Sequence, residues 1–197
     1  MKTTKDATRD RILRSALEVF ARKGYHRAIV DDIVRASGTS KGAVYHHFEN
    51  KEAVFLALVD DFAARLAAAV GEAIAARHGA LAKVESALRA VLETFGGNRE
   101  LARLILLEAV SLGPTYAAKR AEVHARFAAL IRSYLDEAVA EGAIPAIDTR
   151  VGTLAWLGAV NELVLAWLAD DTGGDLVASV PVLTELLLRS IGARYGQ

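Results

Sequence analysis

The chain has 197 residues, 53% hydrophobic and 24% charged, enough for one large domain or a small one joined to a larger, with a sizeable core. It holds no cysteine, which excludes disulfides and thiolate chemistry and suits a reducing compartment, the expected location being cytoplasmic. Its formal net charge is zero, but residues 1–52 carry eleven Lys and Arg against seven Asp and Glu, a net +4 that leaves −4 on residues 53–197. A basic head on an acidic body points to a polyanion met by the head alone.

Nearly every segment repeats its apolar residues at helical spacing, and no segment alternates as a strand would. Thr8 is the expected cap of a first helix running to Lys23, with Ile12, Leu13, Ala16, Val19 and Phe20 on one face and Gly24 as its stop. A short helix follows from Val30 to Ser37, ended by Gly38, and Ser40 caps the next, Lys41–Phe48. Asn50 caps a long alanine-rich helix reaching to about Arg77. Further helices are expected over Ala80–Phe95, Arg99–Leu112, Thr115–Glu141, Asp148–Ala169 and Val180–Ala193, separated by glycine-containing breaks. The three prolines fall in loops or at helix starts, where a missing amide does least harm.

The polar N-terminus MKTTKDATRDRIL precedes no apolar run of signal-peptide length. The most apolar stretch, Thr153–Ala169, is interrupted by Asn161 and Glu162 and falls short of the roughly 20 residues a bilayer requires. A buried helix and no membrane partner are therefore expected. The fold class is all-α: an N-terminal three-helix domain over residues 1–52 and a larger helical domain over 53–197, about nine helices in total.

The segment TSKGAVYHHFENKEAVF, Thr39–Phe55, raises two chemistries. Adjacent His46 and His47 point about 100° apart on a helix, whereas chelating pairs need a spacing of three or four, so no metal is expected. Two short helices joined by a glycine turn match a helix-turn-helix instead, with the second helix in the major groove. Val44 and Phe48, four apart, anchor that helix, while small Gly42 and Ala43 let its start approach base edges. Lys41 can donate to guanine or to a phosphate, Tyr45 and His47 to phosphates, and Lys51 sits where another backbone contact fits. The same shape also occurs in ordinary helical proteins, and spacing alone does not separate the two readings.

From Thr8 to Val59 the sequence resembles, without a gap, the DNA-binding domain of the TetR family of bacterial transcriptional regulators. The likeness rests on F-x-x-x-G-Y (Phe20, Gly24, Tyr25), D-I-V-x-x-S-G, and S-K-G-x-V-Y-x-H-F-x-x-K-E from Ser40 to Glu52. It implies a homodimer on a palindromic double-stranded operator, an effector-binding body, and repression relieved by a small molecule. Carried over by position, Lys41, Gly42, Ala43 and His46 would face bases, and Thr39, Ser40, Tyr45, His47 and Lys51 would hold phosphates. One place departs from the family: where hydroxyl residues often cap the second helix and touch a phosphate, this chain has Ala28 and Ile29, followed by Asp31 and Asp32. That predicts little backbone binding by the second helix, with Arg27 or the arm Lys2, Lys5 and Arg9 compensating.

In the body, Trp156, Leu157, Val160, Leu163, Val164 and Trp167 recur at helical spacing, as do Val182, Leu183, Leu186, Leu187 and Ile191. The resemblance implies that these last two helices build a four-helix dimer interface. Polar residues embedded in apolar helices, namely Arg103, Glu108, Tyr116, His124, Arg126, Tyr134, Asn161 and Glu162, are candidate pocket residues, with Phe127 and Trp156 as apolar lining. Surface or internal pairing is the competing role for each. Such a lining suits a hydrophobic effector, and LARLILLEAVSLGPTYAAKRAEVHARF is similar to bodies of fatty-acid regulators in this family, which makes acyl-CoA a candidate. No phosphate loop, zinc signature or nucleophile elbow is present, so neither cofactor nor catalysis is expected. The rival readings are a helical enzyme or lipid-binding protein with a merely structural N-terminal bundle, and an architectural DNA binder without effector.

Overall fold

The computed structural model describes residues 4–170 and 174–193. Among these the chain forms nine α-helices and no strand: α1 Thr4–Lys23, α2 Val30–Ser37, α3 Lys41–His47, α4 Lys51–Ala75, α5 Ala80–Gly96, α6 Arg99–Arg103, α7 Pro114–Ala140, α8 Thr149–Ala169 and α9 Val180–Ser190. The stops are chemical: Gly24 at φ 75° and Gly38 at φ 60° turn the chain out of α1 and α2 through the left-handed region that glycine enters at least cost. Asn50 accepts the Ala53 amide at 2.8 Å and Asp148 that of Val151 at 3.0 Å, capping α4 and α8.

Two expected helices are corrected at their boundaries. Thr8 lies inside α1, already helical at Thr4, so it is not the cap. Lys5 and Arg9 are consequently helical residues rather than parts of an extended arm, and Lys2 lies outside the described residues. The helix expected over Arg99–Leu112 is α-helical only to Arg103; a π-helical turn, Leu104–Glu108, and a 3₁₀ turn, Ala109–Leu112, follow. Here the buried Tyr116 hydroxyl donates to the Ile105 carbonyl, supplying that oxygen with a side-chain partner.

Two compact units divide the chain, one running up to Ala63 with Glu100–Lys119 added, the other Ala64–Arg99 with the residues from Arg120 onward. The first unit thus extends past the expected boundary at residue 52. Its core holds Ile12, Val19, Phe20, Ile33, Val44 and Phe55, all at most 1% exposed. The expected inner face of α1 is the observed one. Tyr25 packs on Phe20 and Phe55 with ring centroids 5.4 and 5.2 Å away, and Phe55 packs in turn on Tyr116 at 5.6 Å. The glycine-tyrosine element is therefore part of an aromatic core.

In the second unit α5 packs on α9 and on the 3₁₀ turn Leu176–Ser179. Arg99 lies over the Trp167 ring and donates to the Asp170 carbonyl at 2.7 Å and the Trp167 carbonyl at 3.1 Å, closing the C-terminal end of α8. α8 is long and apolar enough to cross a membrane by length and composition, yet only 22% of its apolar window is buried within the chain. The expected buried helix is thus corrected: one stripe (Thr153, Trp156, Val164, Leu168) enters the core, while Val151 and Leu154 are about half exposed. On α9, Leu183, Leu187 and Ile191 are buried, whereas Val182 and Leu186 are 63% and 61% exposed. The interface set expected from sequence therefore mixes core residues (Trp156, Val164, Leu183, Leu187, Ile191) with outward ones.

Candidate nucleic-acid interface

α3 spans seven residues and depends on its ends. Ser40 accepts the Ala43 amide at 3.1 Å, and the Phe48 amide closes the last turn on the Val44 carbonyl at 2.9 Å. Val44 is fully buried and Phe48 6% exposed, so the two anchors hold the helix down. Lys41, Gly42, Tyr45 and His46 remain exposed, Ala43 and His47 half-buried. The α3 residues assigned to bases and those assigned to phosphates are thus all at least partly exposed. The Thr39 hydroxyl lies 2.7 Å from that of Ser37, which itself reaches the Val34 carbonyl, so Thr39 is held in the turn while half-exposed.

Lys41 does not stand alone. Its ammonium pairs with Asp31 of α2 at 2.9 Å, and the hydrogen bond and charge of Asp31 raise its pKa above the ordinary lysine value. Both side chains are more than half exposed, so the pair is screened and exchangeable. Asp31 therefore partly neutralises the cation at the start of α3. His47 faces Lys5 and Arg9; partial burial first, then the neighbouring His46 and those two cations, lower its pKa below the ordinary histidine value. The His46 and His47 rings stand 5.4 Å apart at 74°. Arg9 lies over the Phe48 ring at 5.7 Å, placing α1's cationic side chains beside α3.

The structure gives Lys51 a different setting from the expected phosphate contact. Its ammonium donates to the carbonyls of Tyr25 and Ala28 at 2.8 Å each and of His26 at 3.3 Å, with the Tyr25 ring 4.3 Å away. An ammonium has three N–H donors, and these carbonyls take all three. Burial pulls its pKa below the ordinary value. Lys51 ties the start of α4 to the α1–α2 loop and so sets the frame in which α2 and α3 stand.

At the departure, Ile29 is the N-cap of α2 and its side chain offers no acceptor to the first-turn amides. Asp32 accepts the Ile29 amide at 3.2 Å, so the carboxylate half of a capping box is kept without the hydroxyl half. The same carboxylate pairs with Lys23 at 2.7 Å and with Arg35, and these bonds hold its pKa down at about 2. Sequence reasoning named Asp32 without this role; Arg35 at a spacing of three was the signal available. Ala28 is buried and Ile29 56% exposed, so neither brings a polar group to a phosphate.

The candidate effector residues are divided between the two units. In the first unit Tyr116 is buried by the Ile105 bond and the Phe55 ring, and Arg103 and Glu108 are exposed. In the second, His124, Arg126, Asn161 and Glu162 are exposed, Phe127 is half-buried, and Trp156 is in the core with its indole donating to Ser190 at 3.3 Å. Tyr134 lines an open cavity of about 420 Å³ with Arg77, His78 and Lys83, residues absent from the sequence-based set. Among the described residues no three His, Asp or Glu side chains converge as a metal site requires.

Residues 12–58 match the family described as bacterial regulatory proteins, tetR family, and residues 77–171 match a tetracyclin repressor-like C-terminal domain. The chain is 32% identical over 177 residues to the HTH-type transcriptional regulator UidR of Escherichia coli (strain K12), spanning 89% of this chain and 87% of that one. It is 26% identical over 181 residues to the fatty acid metabolism regulator protein of Bacillus subtilis (strain 168), spanning 91% and 93%. Its fold is similar to that of the transcriptional regulator FadR from Bacillus subtilis in complex with stearoyl-CoA, with TM-score 0.82, 24% identity and coverage of 94% and 99%.

Proposed function

Because the chain belongs to the TetR family of bacterial transcriptional regulators and is a DNA-binding regulator, we propose that it is a cytoplasmic homodimeric repressor, released from a palindromic operator by a small hydrophobic effector of the acyl-CoA class. The observation that carries the reading is α3 itself, pinned by Val44 and Phe48 while Lys41, Tyr45 and His46 face outward. On this reading Lys41, Gly42, Ala43 and His46 read bases, and Thr39, Ser40, Tyr45 and His47 hold phosphates. Lys51 serves by positioning. A lone seven-residue reader gains specificity by pairing with a second one turn or more away on the duplex. The half-exposed apolar faces of α8 and α9 supply the surface for a two-fold partner.

The fatty-acid regulator among the relatives and the stearoyl-CoA bound by the Bacillus subtilis protein support the effector class. The relatives are transcriptional regulators, which favours this reading over a helical enzyme. Footprinting on the upstream region of the chain's own gene should reveal an inverted repeat, with affinity falling steeply as salt rises. Long-chain acyl-CoAs should release the DNA and raise the melting temperature. No footprint on any inverted repeat defeats the repressor reading; stabilisation by no acyl-CoA of any length defeats the effector class while leaving DNA binding standing.

A further inference from the structure

The corner where α4 ends and α5 begins has a charge pattern that helix stability does not explain. Residues 53–197 are net acidic, yet Arg77, His78 and Lys83 meet here around a cavity of about 420 Å³, and none of its lining residues is acidic. α5 has 17 residues and opens at Gly79, which has no side chain to cap it, and its first turn contains no acid. Ahead of the Lys83 amide, which donates to the Gly79 carbonyl at 3.1 Å, the opening amides of that turn have no intrahelical acceptor, so this end carries partial positive charge and favours an anion. Lys83, the fourth residue of α5, stands where the dipole disfavours a cation. The end of α4 can offset Arg77 but not the set. Arg77 Nε donates to Ser86 at 3.0 Å, which orients the guanidinium while using one of its five N–H groups. Tyr134 of α7 also lines the cavity, with a phenol donor, and Gly71 and Ile74 of α4 add apolar lining.

We propose that this cavity binds the oxyanion of a small organic ligand, a phosphate or a carboxylate, through Arg77, Lys83 and the open first turn of α5, with the ligand's apolar part against α4. The anion completes the charge balance that the chain leaves open, and the site is separate from the DNA-reading surface of α3. It does not rest on the acyl-CoA reading.

The test uses DNA-free full-length protein in phosphate-free buffer, with backbone amides followed by NMR during titration with pyrophosphate and, separately, octanoate. At least one anion should shift the amides of residues 77–83 saturably, and R77M/K83M should weaken that binding by about tenfold or more. K83M alone should weaken it less and, without anion, leave the melting temperature unchanged or higher. Pyrophosphate alone acting assigns a phosphate ligand, octanoate alone a carboxylate. If neither anion shifts these amides at about 10 mM, or both variants bind as the parent does, the proposal fails. Shifts confined to α3 fail it equally, since they report the DNA surface.

Discussion

Replacing Lys51 by methionine keeps the hydrocarbon stem over the Tyr25 ring and removes only the ammonium. Two carbonyl contacts at 2.8 Å, from Tyr25 and Ala28, and a weaker one at 3.3 Å, from His26, are lost. Hydrogen bonds to a charged donor contribute about 1.5–3 kcal/mol each. Counting the two short bonds and discounting by about half for the partial exposure of the side chain gives about 2–3 kcal/mol. For a chain of this size that lowers the melting temperature by about 5–10 °C. The assay is thermal unfolding of K51M and the parent without DNA, beside operator titrations over a salt series. Loss of the tie should weaken operator binding with the salt slope unchanged, because no phosphate contact disappears. A melting temperature within about 1 °C of the parent, joined to a salt slope smaller by about one, would overturn the argument and restore Lys51 as a phosphate contact.

Other expectations concern the surroundings of α3 and the partner face. Asp32 titrates at about 2 instead of 3.8, so its stabilisation is full above about pH 4 and fades as pH falls toward 2. D32N should be less stable than the parent at pH 6, and urea midpoints should converge as acid is added; a gap constant down to pH 2 contradicts this. D31N unpairs Lys41 and should tighten operator binding several-fold at low salt with little change in melting temperature; weaker binding would show that the pair orients Lys41 rather than shielding it. V182D/L186D places two charges on the exposed apolar face of α9 and should yield a helical monomer in sedimentation, with operator affinity reduced at least about tenfold. A persistent dimer refutes the interface.

Much of the head was legible because its signals are local. Ser40 and Asn50 cap by hydroxyl or amide chemistry, Gly24 and Gly38 stop helices by backbone freedom, and Val44 and Phe48 share a face by period alone. The ties of Lys51 were not legible because its carbonyl partners lie 23–26 residues away, and a lysine near a groove reader looks the same whether its donors are open or used. The apolar residues of α8 and α9 were recognised as a set, but only the phase of each helix against the core tells Leu183 from Val182. The effector candidates were harder to choose, because embedded polarity marks surface and internal bonds as readily as a pocket. The basic corner at Arg77 and Lys83 was overlooked because its residues belong to two helices and a turn, none unusual alone.

The segment from Arg99 to Leu112 shows how periodicity can conceal a break. A π-helical turn winds too loosely and a 3₁₀ turn too tightly, and here they adjoin. Their departures from α-helical winding have opposite sign, so neither is marked by a break in the apolar pattern read from the sequence. What exposes them is a single oxygen, the Ile105 carbonyl, bonded by a tyrosine eleven residues on.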